Sequence, residues 1–182
     1  CKGFFVPKKG CEVMFQTRMA AMLELSGFEN IECVPVQGTS DILHFNHTKK
    51  IVREVDLKET ADAFLFDGPQ GPVRLFDYPG QHSLYDFLLR EFLKTYKGGI
   101  YKDYQVGNPL NVVIDRVERT PLLYEYNSTD MNIKRYGIEG TRIKGWQTMI
   151  EEIAYHLDKN DWSRPYQHLR QGKMLISVFA KR

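Results

Sequence analysis

Residues 40–59 read SDILHFNHTKKIVREVDLKE, and the folding of this stretch decides what the rest of the chain is built around. DILHF and KIVREVDL are short runs rich in apolar and β-branched residues, and NHTK between them suits a connection, so the stretch predicts a hairpin. Strand periodicity places Val52, Glu54, Asp56 and Lys58 on one face and Ile51, Arg53, Val55 and Leu57 on the other. With antiparallel strands, Asp41 comes to lie beside Asp56 and Lys58. Two carboxylates held close repel each other unless a cation sits between them. A hard divalent ion, Mg²⁺ or Mn²⁺, accepts one or two carboxylates and completes its shell with water. Lys58, two residues past the second carboxylate, could hold or deprotonate a metal-bound water. Such a set suits hydrolysis of a phosphodiester.

Outward from the hairpin, CEVMFQTRMAAMLELSGF reads as a helix, with Phe15, Met19, Met22 and Leu23 at helical spacing and Gly27 as its stop. NIECVPV predicts a short strand and QGTS a turn. Downstream, DAFLF and VRLFDY flank the Gly/Pro-rich DGPQGP and predict a second hairpin. SLYDFLLREFLKTY predicts a helix capped by Ser83 and stopped at Gly98-Gly99, with Tyr85, Leu88, Leu89, Phe92 and Tyr96 as its apolar stripe. LNVVIDRV and PLLYEY read as strands. GWQTMIEEIAYHLDKN reads as a third helix with Trp146, Ile150, Ile153 and Leu157 on one face, and KMLISVFAKR as a closing strand. The class is therefore α/β or α+β, a mixed sheet flanked by helices. The expected organisation is an arm at 1–11, a core at 12–126 and a helix–strand extension at 127–182.

Residues 11–58, CEVMFQTRMAAMLELSGFENIECVPVQGTSDILHFNHTKKIVREVDLK, resemble the core of the PD-(D/E)xK nuclease superfamily, in its branch of archaeal Holliday-junction resolvases and restriction endonucleases. The resemblance implies an αβββαβ core and Mg²⁺-dependent cleavage of nucleic-acid backbones. It assigns Asp41 and Asp56 to the metal, Lys58 to catalysis and Glu12 to an acidic position on the first helix. This chain departs from the pattern in Ser40 where the family has Pro, in Asp56 where Glu is commoner, and in an inserted hairpin before the second helix. Glu54 is an extra acid and a further candidate ligand.

The chain has 182 residues, of which 42% are apolar and 26% charged, which suits a globular domain and excludes disordered and fibrous classes. No apolar run approaches a membrane span, and no secretory leader is read. The expectation is an intracellular protein; the start at Cys1 leaves an organelle presequence, a mitochondrial one included, open. Cys1, Cys11 and Cys33 form neither an even framework nor a CxxC and read as reduced thiols. The net charge of +2 is unevenly spread: from Met131 onward there are ten Lys/Arg against five Asp/Glu. Within DWSRPYQHLRQGK, Arg164, Arg170 and Lys173 stand among aromatic residues and are candidate contacts to a nucleic-acid backbone or a protein partner. The competing reading is a non-catalytic subunit of a larger assembly; a homodimer is open under either. FDYPGQHSLYDF is like a GTPase switch segment, but no GxxxxGK[ST] phosphate cradle exists in the chain. His44 and His47 lack further ligands at zinc spacing, and no Gly-x-Ser-x-Gly elbow occurs. Asn46-His47-Thr48 and Asn127-Ser128-Thr129 match the glycosylation pattern by chance.

Overall fold

The computed structural model describes residues 9–62, 65, 66, 68, 71–75, 77–117, 119, 121–141 and 144–159. Three long strands come first: β1 (Cys11–Glu24), β2 (Cys33–Asn46) and β3 (Ile51–Thr60). A helical turn, α1 (Pro72–Leu75), leads to the long helix α2 (Tyr78–Thr95). Then come β4 (Gln105–Val106), β5 (Leu110–Asp115), β6 (Pro121–Glu125), α3 (Ser128–Tyr136) and α4 (Trp146–Asp158). The strands make one mixed sheet in the order β1-β2-β3-β5-β6, with β4 beside β3. β1 to β3 run antiparallel, β5 is parallel to β3, and β6 returns antiparallel to β5. A parallel neighbour needs a crossover, and α2 lies on that connection.

The expected class, a mixed sheet with helices, is what forms. The 40–59 hairpin forms as well, with Asn46 opposite Ile51 and Ile42 opposite Val55. So do the strands at 110–115 and 121–125 and the helices at 78–95 and 146–158. The first helix does not: residues 11–24 are strand β1, paired with β2 at every position but Gln16. Met19 and Leu23 are buried while Phe15 and Met22 stand in solvent, so the buried set follows strand parity, not the helical stripe. Pairing along fourteen residues outweighs the helix propensity of Met, Ala and Leu. NIECVPV and DILHF are likewise one strand, and Gly38 lies inside it. A Cβ there would sit 2.5 Å from the Tyr85 ring, so glycine serves the approach of α2 and makes no turn.

The second expected hairpin is also replaced, since Pro72–Leu75 is helical. Ser83 does not cap α2. The helix begins five residues earlier, behind Asp77 and with Pro in its first turn, and Ser83 is buried inside it. α3 was not anticipated; its N-cap is Asn127, whose side chain accepts from the Asp130 N–H at 2.9 Å. Residues 1–8 of the arm, the basic segment with Arg164, Arg170 and Lys173, and the closing strand lie outside the described residues. Among the described residues no helix is long and apolar enough to cross a membrane.

The main core lies between the β1–β3 face and α2. Met19, Leu23, Val34, Val36, Leu43, Phe45 and Val52 meet Phe87, Leu88, Leu89 and Leu93, with Trp146 and Ile150 of α4 joining from outside. In β2 the positions facing this core are Val34, Val36 and Gly38 before residue 40, and Leu43 and Phe45 after it. The parity of the strand therefore changes near Asp41. The partner strand changes at the same place: Phe15 pairs with Ile42 and Thr17 with Ser40, while Gln16 between them has φ +47°.

Candidate active site

The pairing of β2 with β3 stops at Ile42–Val55, and that of β3 with β5 begins at Val55–Leu110. Beyond this point β2 leaves β3, and Asp41 and Asp56 are the first residues past the split. Asp41 takes over from the ladder: its Oδ2 accepts the Leu57 N–H at 3.1 Å, and its Oδ1 accepts from Gln16 Nε2 at 3.1 Å. Gln16, which supplies this amide, is the residue of β1 with φ +47°. Asp56 also hydrogen-bonds the Asp41 side chain, and its Oδ2 faces the Lys58 ammonium as an ion pair off the hydrogen-bonding direction. Lys58 Nζ lies 4.3 Å from the centre of the Tyr78 ring, at the start of α2. Three of the sequence candidates are thus on one face, in one crevice.

The environment splits the two carboxylates. Burial drives Asp56 up, the hydrogen bond to Asp41 adds to this, and Lys58 works against both, which leaves its carboxyl raised to about 6. Burial also acts on Asp41, but hydrogen bonds with Asp56, the Leu57 N–H and Gln16, together with the Lys58 charge, outweigh it and hold Asp41 below the ordinary carboxylate range. Near pH 5 the pair therefore shares one proton, carried by Asp56 and directed at Asp41. From α2, Tyr85 borders the same crevice and donates its hydroxyl to the Thr39 carbonyl at 3.1 Å. Burial raises the Tyr85 phenol, a hydrogen bond with Gln81 opposes this, and the charges of Glu54, Asp56 and Asp41 add to it. Gln16, Tyr78 and Gln81 were not singled out in the sequence, and Tyr85 was read only as part of an apolar stripe. The signal for the last three was the alignment of the α2 N-terminal turns with the end of a crossover, which only the parallel pairing reveals.

Glu54 points to the same face but is engaged elsewhere. Its Oε2 lies 2.6 Å from His82 Nδ1, and His82 Nε2 lies 2.7 Å from Asn111 Oδ1. Asn111 Nδ2 in turn donates to the Tyr126 hydroxyl at 2.8 Å. Glu54, His82 and Asn111 are all at most 2% exposed. Glu54 Oε1 is buried with no hydrogen-bond partner among the described residues. Glu12 is not part of the crevice. It sits at the start of β1, opposite Phe45, four positions from Asp41 and so roughly 13 Å along the strand. There it accepts from the Tyr101 hydroxyl at 2.6 Å and lies 3.3 Å from His47. The helix that was to carry Glu12 is absent, and with it the reason for its expected role. Among the described residues no three His, Cys, Asp or Glu side chains gather as a metal-holding group.

No family model and no curated protein matches the chain. Among solved structures, it is similar to SSO0001, with a TM-score of 0.42 and 12% identity over 91% of this chain and 58% of that one. It is also similar to a protein from Eubacterium rectale described as "Putative exonuclease", with a TM-score of 0.43 and 10% identity over 93% of this chain and 57% of that one. The chain therefore spans less than two thirds of either structure.

Proposed function

We propose that the Asp41–Asp56–Lys58 crevice hydrolyses nucleic-acid phosphodiesters with the aid of a divalent cation, Mg²⁺ or Mn²⁺. One observation carries this reading: the sheet opens where β2 leaves β3, and two carboxylates from the parting strands meet there with a lysine against them, one held below the ordinary range and the other raised to about 6. A proton held between paired acids marks a place that a hard cation can take, and the donors are oxygens of the kind Mg²⁺ prefers. Asp41 and Asp56 would hold the ion. Glu54, already committed to His82 through one oxygen, would add buried negative charge beside them. When bound, the ion lowers the pKa of an attacking water and offsets charge on the phosphoryl oxygens.

The chain's own groups do the rest. Lys58, held beneath the Tyr78 ring, places a positive charge next to Asp56 and orients the nucleophile and the scissile phosphate. Tyr85 and α2 cover one side of the crevice and limit the entry of water. Nucleic acid is then the partner. Arg164, Arg170 and Lys173 keep their sequence-based role as contacts to its phosphates.

The test is direct. The protein is incubated with duplex, single-stranded and branched DNA and with RNA, with Mg²⁺ or Mn²⁺. Cleavage is expected on at least one of these, and to fall by about 10²-fold or more in Asp56→Asn and Lys58→Met. Cleavage that survives both substitutions, or its absence on every substrate while the protein co-purifies with stable partner chains, overturns the reading in favour of a non-catalytic subunit.

A further inference from the structure

The other face of the sheet gathers basic groups of its own. Register fixes this: His44 lies opposite Arg53, Asn46 opposite Ile51 and Val55 opposite Leu110. Asp41 and Asp56 lie one residue out of step with these pairs and so face the other way. His44, Asn46, Ile51, Arg53, Val55 and Leu110, with Lys49 of the connecting turn, line an open cavity of about 330 Å³. That is within the range of small-ligand sites.

The charges in this cavity are poorly matched. Two basic residues directly opposite each other on neighbouring strands repel. The fold tolerates the pair because burial first, and then the Arg53 charge, hold His44 below the ordinary imidazole range, so that its ring is neutral near pH 7. Among the described residues no hydrogen bond reaches the His44 ring and no carboxylate reaches the Lys49 ammonium. The nearest acid, Glu125, is half exposed and 3.9 Å from the Arg53 guanidinium, too far for a hydrogen bond. Arg53 is nonetheless held in place, because the Gly107 backbone packs against its side chain. A Cβ at 107 would lie 3.0 Å from Arg53 Cγ and Nε. The cavity thus joins a guanidinium whose stem packs on Gly107, a free ammonium and a neutral imidazole to an apolar floor of Ile51, Val55 and Leu110.

We propose that this cavity binds a phosphate monoester of mononucleotide size, its phosphate against Arg53, Lys49 and His44 and its body on the apolar floor. Arg supplies a planar fork and Lys a point charge, and together they match a phosphate dianion better than a carboxylate. The site is independent of the hydrolytic reading, because it lies on the opposite face and shares no residue with it. Its ligand could be a free nucleotide or the phosphorylated end of a strand.

Calorimetry with inorganic phosphate, adenosine monophosphate, adenosine, and an oligonucleotide with or without a terminal phosphate tests this. It is paired with NMR titration of the His44 ring. Saturable binding of adenosine monophosphate or of the phosphorylated oligonucleotide is expected, at least tenfold weaker in Arg53→Gln and in the exposed-turn variant Lys49→Gln. The His44 midpoint should rise when the ligand is bound. Binding of the oligonucleotide alone assigns the strand end, and binding of both assigns the nucleotide as sufficient. Adenosine binding as tightly as its monophosphate, equal affinity in both variants, or no saturable heat with any phosphate ligand overturns the proposal.

Discussion

Asp56 shows at the scale of one residue how a functional group sits against the interest of the fold. Its carboxyl is at about 6 in the folded chain against 3.8 unperturbed, so the protonated form stabilises the structure. That contribution is complete below about pH 4 and disappears as the pH rises through about 6. Asp56→Asn keeps the shape and removes the charge. It should therefore raise stability at pH 8, by about 1–3 kcal/mol after allowance for solvent screening, while lowering cleavage by about 10²-fold or more. Thermal melts at pH 5 and pH 8 check this; an equal change at both would show that the charge is not the cause. The same proton competes with a cation. Mg²⁺ or Mn²⁺ affinity, read by calorimetry, should climb as the pH passes about 6, and in Asp41→Asn the dependence should move to lower pH because Asp56 loses the partner that holds its proton. That positions 41, 56 and 58 come together could be read from the sequence because a hairpin is local and β3 alternates regularly, although β2 changes parity near Asp41. Glu12 could not, because its placement depended on an element that does not form.

At the scale of the element, the lesson lies in β1 and β2. Residues 11–24 carry good helix formers, and spacing alone favoured a helix. The alternation Met19, Ala21, Leu23 was present too, but only a partner as long as β2 gives it weight. Gly38 misled in the same manner: a glycine after Gln reads as a turn until the Tyr85 ring is found against it. Gly38→Ala should push Tyr85 off the Thr39 carbonyl and cost about 1–3 kcal/mol, seen as a lower midpoint in urea. No loss would mean that the ring has room to move. The helices α2 and α4 were legible because their apolar stripes are long, while α3 was hidden in an Asn-Ser-Thr triplet whose Asn is a cap.

At the scale of the whole molecule, α2 packs on the sheet, and it meets the C-terminal helices through apolar contacts with Trp146 and Ile150 and through one shared hydroxyl. Ser83 Oγ accepts from Trp146 Nε1 at 3.0 Å and donates to the Met131 carbonyl at 2.8 Å. Ser83→Ala leaves a buried indole N–H without a partner, and should destabilise by roughly 1–3 kcal/mol. Ser83→Thr, which keeps the hydroxyl, should lose less; equal losses from the two would show that volume matters more than bonding. None of this was visible in the sequence, since contacts between residues 83, 131 and 146 depend on how three helices stack.

The Asp41 carboxylate that closes the parting of β2 and β3 has one more consequence. The Leu57 amide is retained by an ionisable side chain, in a strand whose other amides are held mainly by backbone carbonyls. Its protection against deuterium exchange, taken relative to the intrinsic rate at each pH, is therefore a gauge of the crevice itself: high while the carboxylate is in place, lower once Asp41 is protonated, and altered when an ion draws Asp41 away.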